Sequence, residues 1–442
     1  MKNYVIVKSK VLDTFSLPGI NPGDTLLEMA VDVAGYPQII RTTGFWNQID
    51  QNQLEVKQIA VELYRLAAAI YSADTRIVRK EAFDNWSRDI ALHFPVSDLN
   101  LWQEAKDTLE KLLNFLTGDH WEINFRQDTI PRPSINKNKW KHGAKLETKK
   151  VSLFSGGLDS FIGASDLLSK KESVILVGHH SDNTTINYQK LAFGALKKNY
   201  PDQKSVFISL FVRPPSGIGE PTTRSRSFLF YSLASLVASS LGEEASLIIP
   251  ENGFIGLNIP LTLTRLGSLS TRTTHPHTVF LFSELLRNLN MPIPLAVPYK
   301  FMTKGEMLVN ANDPNFLKEN LNMTMSCAHP ATGRFSKGNP NFHCGYCVPC
   351  IIRRAAVNKA GFSETNYNYN LLSRGIPRTR GKAKDPKAFL LSIERASLHS
   401  MHGNALRSGP LHGNDDDVRN YIKVYKNGLQ EVSEFLSTLP SL

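Results

Sequence analysis

The chain is poor in cysteine: it has four in 442 residues, and none before Cys327. Everything upstream of that point cannot be a disulfide-stapled scaffold. No apolar run approaches the roughly 20 residues needed to cross a bilayer. The opening Met1-Lys2-Asn3-Tyr4-Val5-Ile6-Val7-Lys8 holds too short an apolar core for a signal peptide and reads as a β-strand. A cytoplasmic protein without membrane association is expected. Acidic residues are in deficit, 40 against 51 Lys and Arg, for a formal net charge of +11. That balance favours a polyanionic partner such as ATP, a nucleic acid or an acidic protein surface. Internal repeats are absent too, which excludes solenoid and propeller architectures.

The most informative stretch present is Ser155-Gly156-Gly157-Leu158-Asp159-Ser160, directly after the apolar run Val151-Ser152-Leu153-Phe154. It reads as a buried strand, a tight turn and the first turn of a helix, where free backbone N–H groups receive an anion. Gly156 and Gly157 allow close backbone approach and positive φ. Ser155 and Ser160 can donate to phosphate oxygens. Asp159 beside a polyphosphate calls for a metal ion or a helix dipole. The stretch lacks Gly-Lys-[Ser/Thr], so it is not a Walker loop, and it lacks the third glycine of the dinucleotide fingerprint.

The four cysteines fall in one segment: Cys327, then Cys344-Gly345-Tyr346-Cys347-Val348-Pro349-Cys350. Two-residue gaps let successive thiolates face one centre, and Cys327 closes a tetrahedron. Arg353 and Arg354 follow, placed to offset a dianionic four-thiolate centre. Two disulfides are the competing account, disfavoured in a cytosolic chain. An iron–sulfur cluster would use the same four thiolates. Structural Zn²⁺ is the commoner solution and the expected one.

From residue 151 apolar strands (151–154, 174–178, 206–210, 247–249) alternate with helical stretches (161–168, 186–199, 227–241). This is the βαβ pattern of a doubly wound parallel sheet, whose ligands bind at the carboxyl ends of the strands. His179, His180 and Asp182 follow the second strand at that edge. Residues 1–130 read as a separate α+β unit, with amphipathic helices over 56–70 and 102–116, the latter ending at Gly118. The charged stretch from Asp74 to Asp89 reads as buried structural ion pairing. Residues 131–150 form a Pro- and Lys-rich linker carrying Lys137, Lys139, Lys141, Lys145, Lys149 and Lys150. It is either solvated or a nucleic-acid-contacting arm. Residues 362–442 read as a helical extension. There, His402, His412 and Asp415-Asp416-Asp417 sit in a Gly-rich loop rather than at a second metal site, and a helix spans about 417–436.

The SGGLDS loop and the downstream four-cysteine knuckle together resemble the QueC-like family, the 7-cyano-7-deazaguanine synthases among the PP-loop ATP pyrophosphatases. The likeness spans residues 151–361. Arg224-Ser225-Arg226-Ser227, Pro250-Glu251-Asn252-Gly253 and Thr303-Lys304-Gly305-Glu306 match further family segments. The resemblance implies an adenine nucleotide alpha hydrolase-like, Rossmann-like fold. It implies ATP and Mg²⁺ at Ser155, Gly156, Gly157, Leu158, Asp159, Ser160 and Arg224, with catalysis carried by Asp159, Lys304 and Arg226. A 7-deazaguanine carboxylate would sit at Glu251 and Asn252, and Zn²⁺ at Cys327, Cys344, Cys347 and Cys350. The chain departs from the family in its long gap from Cys327 to Cys344, in residues 184–187 where the family is basic, and in its extra terminal units. Large QueC-like proteins of this kind occur in anti-phage systems. These departures shift the expected acceptor of the activated carboxylate from ammonia toward a partner protein's amine. A tRNA-modifying adenylating enzyme and a non-catalytic nucleotide-binding scaffold are the alternatives.

Overall fold

Two five-stranded sheets organise the chain, and every ladder between their strands is parallel. The computed structural model describes residues 1–42, 44–128, 147–217, 219–262, 272–330, 332–335, 338–363, 366–398 and 401–440. The first sheet has β1 (Lys2–Lys8), β2 (Thr25–Val31), β3 (Ile39–Ile40), β4 (Asp89–Val96) and β5 (His120–Gln127), in the order β3-β2-β1-β4-β5. Between β3 and β4 run α1 (Phe45–Gln51) and α2 (Gln58–Arg76), and between β4 and β5 runs α3 (Leu99–Thr117). Parallel neighbours need long crossovers, and these helices supply them. The N-terminal unit is therefore α/β, not the α+β unit expected. A two-residue β3 and a helix-free path from β1 to β2 hide the alternation in the sequence.

The second sheet follows the expected alternation: β6 (Lys150–Leu153), α4 (Leu158–Ser169), β7 (Val174–His180), α5 (Asn183–Asn199), β8 (Ser205–Phe211), α6 (Arg226–Ala238), β9 (Ser246–Ile248), α7 (Gly253–Gly256), α8 (Pro276–Asn288) and β10 (Leu295–Ala296). Its order is β10-β9-β6-β7-β8. The chain moves outward from β6 through β7 to β8, then returns to place β9 on the other side of β6. The winding direction thus reverses between β6 and β9, at the crevice where open α/β sheets hold ligands.

The two sheets share one core. Helix α2 packs on α6 and α3 on α8, and one apolar cluster runs from Val5 and Ile70 through Val151 and Leu233 to Phe282. Residues 60–74 of α2 are buried on every face, because α6 covers the side that the first sheet does not. The backbones of Arg41 and Arg213 also exchange two hydrogen bonds across the units. The expected buried pairing is present: Arg79 Nη1 lies 2.8 Å from Asp119 Oδ1, and Arg88 Nη2 lies 2.6 Å from Asp119 Oδ2. Asp74 completes this network. Of the linker, residues 131–146 lie outside the described residues, while Lys149 and Lys150 pair with Glu244 and Glu172.

The remainder is helical: α9 (Lys304–Val309), α10 (Pro314–Asn320), α11 (Val348–Lys359), α12 (Leu371–Arg374), α13 (Arg380–Leu398), α14 (Met401–Leu406) and α15 (Asp415–Ser437). Helix α15 packs on α7, α11, α13 and α14. A Cβ on Gly428, midway along α15, would lie 2.2 Å from Phe254 Cγ, so only glycine lets α15 and α7 close. Asp415, Asp416 and Asp417 form the first turn of α15, and Asn414 and Asp417 make a capping box. That placement gives the acidic run a helix-capping role instead of a loop. Among the described residues no helix is long and apolar enough to cross a membrane.

Candidate functional site

The SGGLDS turn sits at the carboxyl end of β6, one side of the switch point, and Pro250-Glu251-Asn252-Gly253 sits at the end of β9, the other side. Gly156 has φ +79°, and a Cβ there would lie 3.0 Å from the Gln189 backbone nitrogen. Both the left-handed conformation and the close approach require glycine. Gln189, from α5, donates its Nε2 to the carbonyls of Phe154, Ser155 and His179, tying the ends of β6 and β7 together. The turn feeds directly into α4, so its N–H groups point at the crevice. Hydroxyls cover these N–H groups: Gly157 N donates to Ser155 Oγ at 3.2 Å and Leu158 N to Ser326 Oγ at 3.1 Å. Ser160 Oγ donates to Gly157 O at 2.9 Å and lies 3.3 Å from Ser155 Oγ.

Across the switch point three residues singled out in the sequence meet. Asp159 Oδ1 is 2.7 Å from Lys304 Nζ. Asp159 Oδ2 accepts from Asn252 Nδ2 at 2.6 Å and from Asn252 N at 3.3 Å. Asp159 and Lys304 are buried, so each charge depends on the other. Lys304 supplies a charge that offsets the buried Asp159 carboxylate. Lys304 opens α9, whose Thr303–Glu306 capping box fixes the turn. Thr303 Oγ1 in turn donates to Glu431 of α15, which also pairs with Lys359 at 2.9 Å. The C-terminal helix therefore braces the residue that holds Asp159.

Glu251 accepts from Thr274 Oγ1 at 2.9 Å. Its carboxyl is pushed up to about 7, chiefly by desolvation and then by the Asp159 charge. With Asn252 it lines a cavity of about 280 Å³, closed by Thr274, Phe280, Lys300 and Tyr421. His412 stacks on Phe280 at the same cavity, 3.9 Å between ring centroids, and its Nε2 meets His277 Nδ1 at 2.6 Å.

The two arginines part company. Arg226 Nε reaches His179 Nδ1 at 3.2 Å and Nη2 reaches His179 O at 3.1 Å, at the end of β7. Burial first, then the Arg226 charge, holds His179 well below its usual range; it stands edge-on to Tyr71 of α2. Arg224 stacks on Trp86, 4.5 Å from the ring centroid, and its backbone N–H donates to Asp74 Oδ2 at 2.8 Å. The Arg224 guanidinium, expected at the phosphates, lies over an aromatic ring of the N-terminal unit, and its backbone joins Asp74 of α2. Residues 184–187 form part of the first turns of α5, which Asp182 caps through Thr185 N at 2.9 Å.

The four cysteines are unpaired thiols whose sulfur atoms all lie within 4.8 Å of one another. Sγ separations are 3.3 Å (Cys347 to Cys350), 3.8 Å (Cys344 to Cys350) and 3.9 Å (Cys327 to Cys347). Four sulfurs about 2.3 Å from a tetrahedral zinc would stand roughly 3.8 Å apart, so the set can hold one metal ion such as zinc. A disulfide needs sulfurs about 2.05 Å apart, which rules out the two-disulfide account. Gly345 has φ +91°, and a Cβ there would lie 2.1 Å from Tyr369 O, so the knuckle's turn also needs glycine. Arg353 turns into the protein: Nη1 donates to Thr324 Oγ1 at 2.8 Å and Ser326 Oγ at 3.2 Å, and Nη2 to Leu321 O at 2.7 Å. Arg354 lies over Tyr367, 3.6 Å from the ring centroid.

Gln189 and Ser326 belong to the site's surroundings yet stand in none of the sequence motifs. Only the Ser326-Cys327 adjacency could have flagged one of them. No family model matches the chain, and no curated protein matches it. Among solved structures it is similar to a multidomain structure of adenylation, ketoreductase and pseudo Asub domains from a keto acid-selecting NRPS module. That match has 8% identity and a TM-score of 0.22, and covers 66% of this chain and 32% of that one.

Proposed function

We propose that this chain activates a carboxylate with ATP, forming AMP and pyrophosphate, and passes the acyl group to an amine. The observation that carries the reading is the meeting of Asp159, Lys304 and Asn252 across the β6–β9 switch point, beneath a glycine turn fringed with hydroxyls. The carboxylate of a 7-deazaguanine attacks the α-phosphorus of ATP, an acyl–phosphate bond forms, and the α–β phosphoanhydride breaks. Pyrophosphate leaves against Ser155, Gly156, Gly157, Leu158 and Ser160, where a bound Mg²⁺ would offset its charge. Lys304 and Arg226 are the cations assigned to offset the charge. An amine then displaces AMP and loses a proton. Glu251, poised near neutrality, is suited to receive that proton, and the cavity beside Glu251 and Asn252 takes the flat heterocycle. Zn²⁺ on the four cysteines supplies folding free energy.

The acceptor we favour is an amine on a partner protein in anti-phage defence; ammonia would give the amide and, after a second activation, the nitrile. Support for the protein acceptor is the N-terminal unit, which shares a core with the activating sheet and so can present a bound partner at fixed geometry. Incubation with ATP, Mg²⁺ and 7-carboxy-7-deazaguanine should release pyrophosphate, and Asp159→Asn should abolish release. Asparagine is preferred to alanine because it keeps a polar group against buried Lys304. Mass spectrometry of the small-molecule product and of any partner then separates the acceptors. Undiminished release by Asp159→Asn would overturn the reading.

A further inference from the structure

Ser326 stands one residue before Cys327, 168 residues from the loop it touches. Its Oγ accepts two N–H bonds, from Leu158 N at 3.1 Å and from Arg353 Nη1 at 3.2 Å. A hydroxyl oxygen has two lone pairs and one hydrogen. Both lone pairs are spent on donors, one of them a buried cation, while the O–H hydrogen finds no acceptor among the described residues. A hydroxyl in that state can only donate, and a neighbouring cation strengthens the donation. Its oxygen lies 3.6 Å from where a Cβ on Gly157 would stand, at the mouth of the α4 turn.

The placement is enforced from several sides. Ser326 N donates to His343 Nε2 at 3.1 Å, and His343 precedes Cys344. Met325 N donates to Gly156 O at 2.8 Å, so the segment leading into the knuckle is clamped to the loop's own backbone. Arg353 lies on α11, which starts inside the cysteine motif, and it also grips Thr324 Oγ1 and Leu321 O. The knuckle thus fixes both ends of the Ser326 support, Cys327 from one side and Arg353 from the other.

Resting on the proposed ATP reading, we infer that Ser326 is a phosphate-binding residue of the anion loop. It donates its hydroxyl hydrogen to a phosphate oxygen, and Arg353 and the four-cysteine knuckle hold it in place. The metal centre is then coupled to anion affinity through named hydrogen bonds as well as through stability.

The test is calorimetric titration of the full chain with inorganic pyrophosphate and Mg²⁺, with metal content and melting temperature measured on each variant. Ser326→Ala should weaken pyrophosphate binding by roughly 10- to 100-fold, as loss of a hydrogen bond to a charged group implies. Metal stoichiometry should stay at the wild-type value. Ser326→Thr, which keeps the hydroxyl, should restore binding to within about threefold. Arg353→Lys, which keeps the charge but not the fork, should fall between. If Ser326→Ala binds pyrophosphate as tightly as wild type, the inference fails and the ATP reading survives. Metal loss in Ser326→Ala that tracks the weakened binding, or failure of threonine to rescue, also overturns it. If the wild-type chain binds neither pyrophosphate nor ATP, the ATP reading falls and takes the inference with it.

Discussion

Helices α4 and α6 both begin at the carboxyl edge of the second sheet, and their N-termini are treated in opposite ways. At α6 a buried carboxylate is built in: Asp74 of α2 accepts from the backbone nitrogens of Arg224 and Ser225, at 2.8 and 2.9 Å, and from Ser225 Oγ at 2.8 Å. At α4 the covering groups are the hydroxyls of Ser155 and Ser326, and the helix's own carboxylate, Asp159, is turned away onto Lys304 and Asn252. A helix N-terminus attracts an anion. One of these termini already holds its anion permanently, while the other is covered by neutral groups that a phosphate can share. The difference separates a structural joint between two units from the terminus we propose for the anion.

The strongest way to break the comparison is at the closed terminus. Asp74→Ala strips α6 of its cap and leaves Arg88 and Arg79 facing Asp119 alone. Removing one partner from a buried network costs about 3–5 kcal/mol, so the urea midpoint should fall sharply, with α2 and α6 separating. A drop under about 1 kcal/mol would mean that the joint is held by the apolar cluster alone. The wild-type pH profile carries the same signature. Charges and hydrogen bonds from Arg88 and Ser225 hold the Asp74 carboxyl below its ordinary value despite burial. Its contribution is therefore whole above the ordinary value of 3.8 and fades as pH falls through 3.8 toward the lower folded value.

The open side should show the reverse dependence. Glu251 titrates near 7 in the folded chain against 4.5 unfolded. Between those values the folded state keeps a proton that the unfolded state has lost, so stability declines as pH rises through the window. Glu251→Gln removes the decline. Denaturation at pH 8 should find the variant more stable than wild type by at most about 3 kcal/mol, with no difference at pH 4. Equal stability at both pH values would remove Glu251 from the proton-accepting role.

How much of this was legible in the sequence follows from how local each feature is. The alternation over 151–249, the strand–turn–helix at SGGLDS and the cysteine cluster are patterns within a few residues, and each appears where the spacing predicts it. Arg224 and Arg226 share one motif yet diverge: Arg226 meets His179 at the strand edge, while Arg224 meets Trp86 and, through its backbone, Asp74 of the other unit. The bonds from Ser225 to Asp74, Leu158 to Ser326 and Thr303 to Glu431 join residues 151, 168 and 128 positions apart. No periodicity reports such pairings. The β1-to-β2 crossover of the N-terminal unit carries no helix, so the parallel pairing there has no local mark and the sequence reads as α+β.

Within the open loop, Gly156→Ala separates backbone strain from chemistry. At φ +79° an alanine costs about 1–2 kcal/mol, and its Cβ would press on Gln189 at 3.0 Å. A modest shift in melting temperature should accompany loss of pyrophosphate binding. The corresponding change at the closed terminus, Ser225→Ala, should destabilise without touching pyrophosphate affinity, since its hydroxyl serves Asp74 alone.

The smallest effect belongs to a third N-terminus, that of α15, which caps itself in solvent. Asn414 Oδ1 accepts from Asp417 N at 2.9 Å and Asp417 Oδ2 accepts from Asn414 N at 3.2 Å. Asp417 Oδ1 also meets Lys300 Nζ at 3.2 Å. The run Asp415-Asp416-Asp417 places its charges where a helix start favours them. Asn414→Ala should therefore lower stability by about 0.5–1 kcal/mol, read as a small decrease in the denaturation midpoint. Added Ca²⁺ or Zn²⁺ should leave the melting temperature of a Ser-for-Asp variant at positions 415 and 416 shifted no differently from that of wild type. A cation-dependent stabilisation seen only in wild type would show that this terminus binds a ligand after all. It would then belong with α4, and neutral covering would no longer be what marks a binding terminus in this molecule.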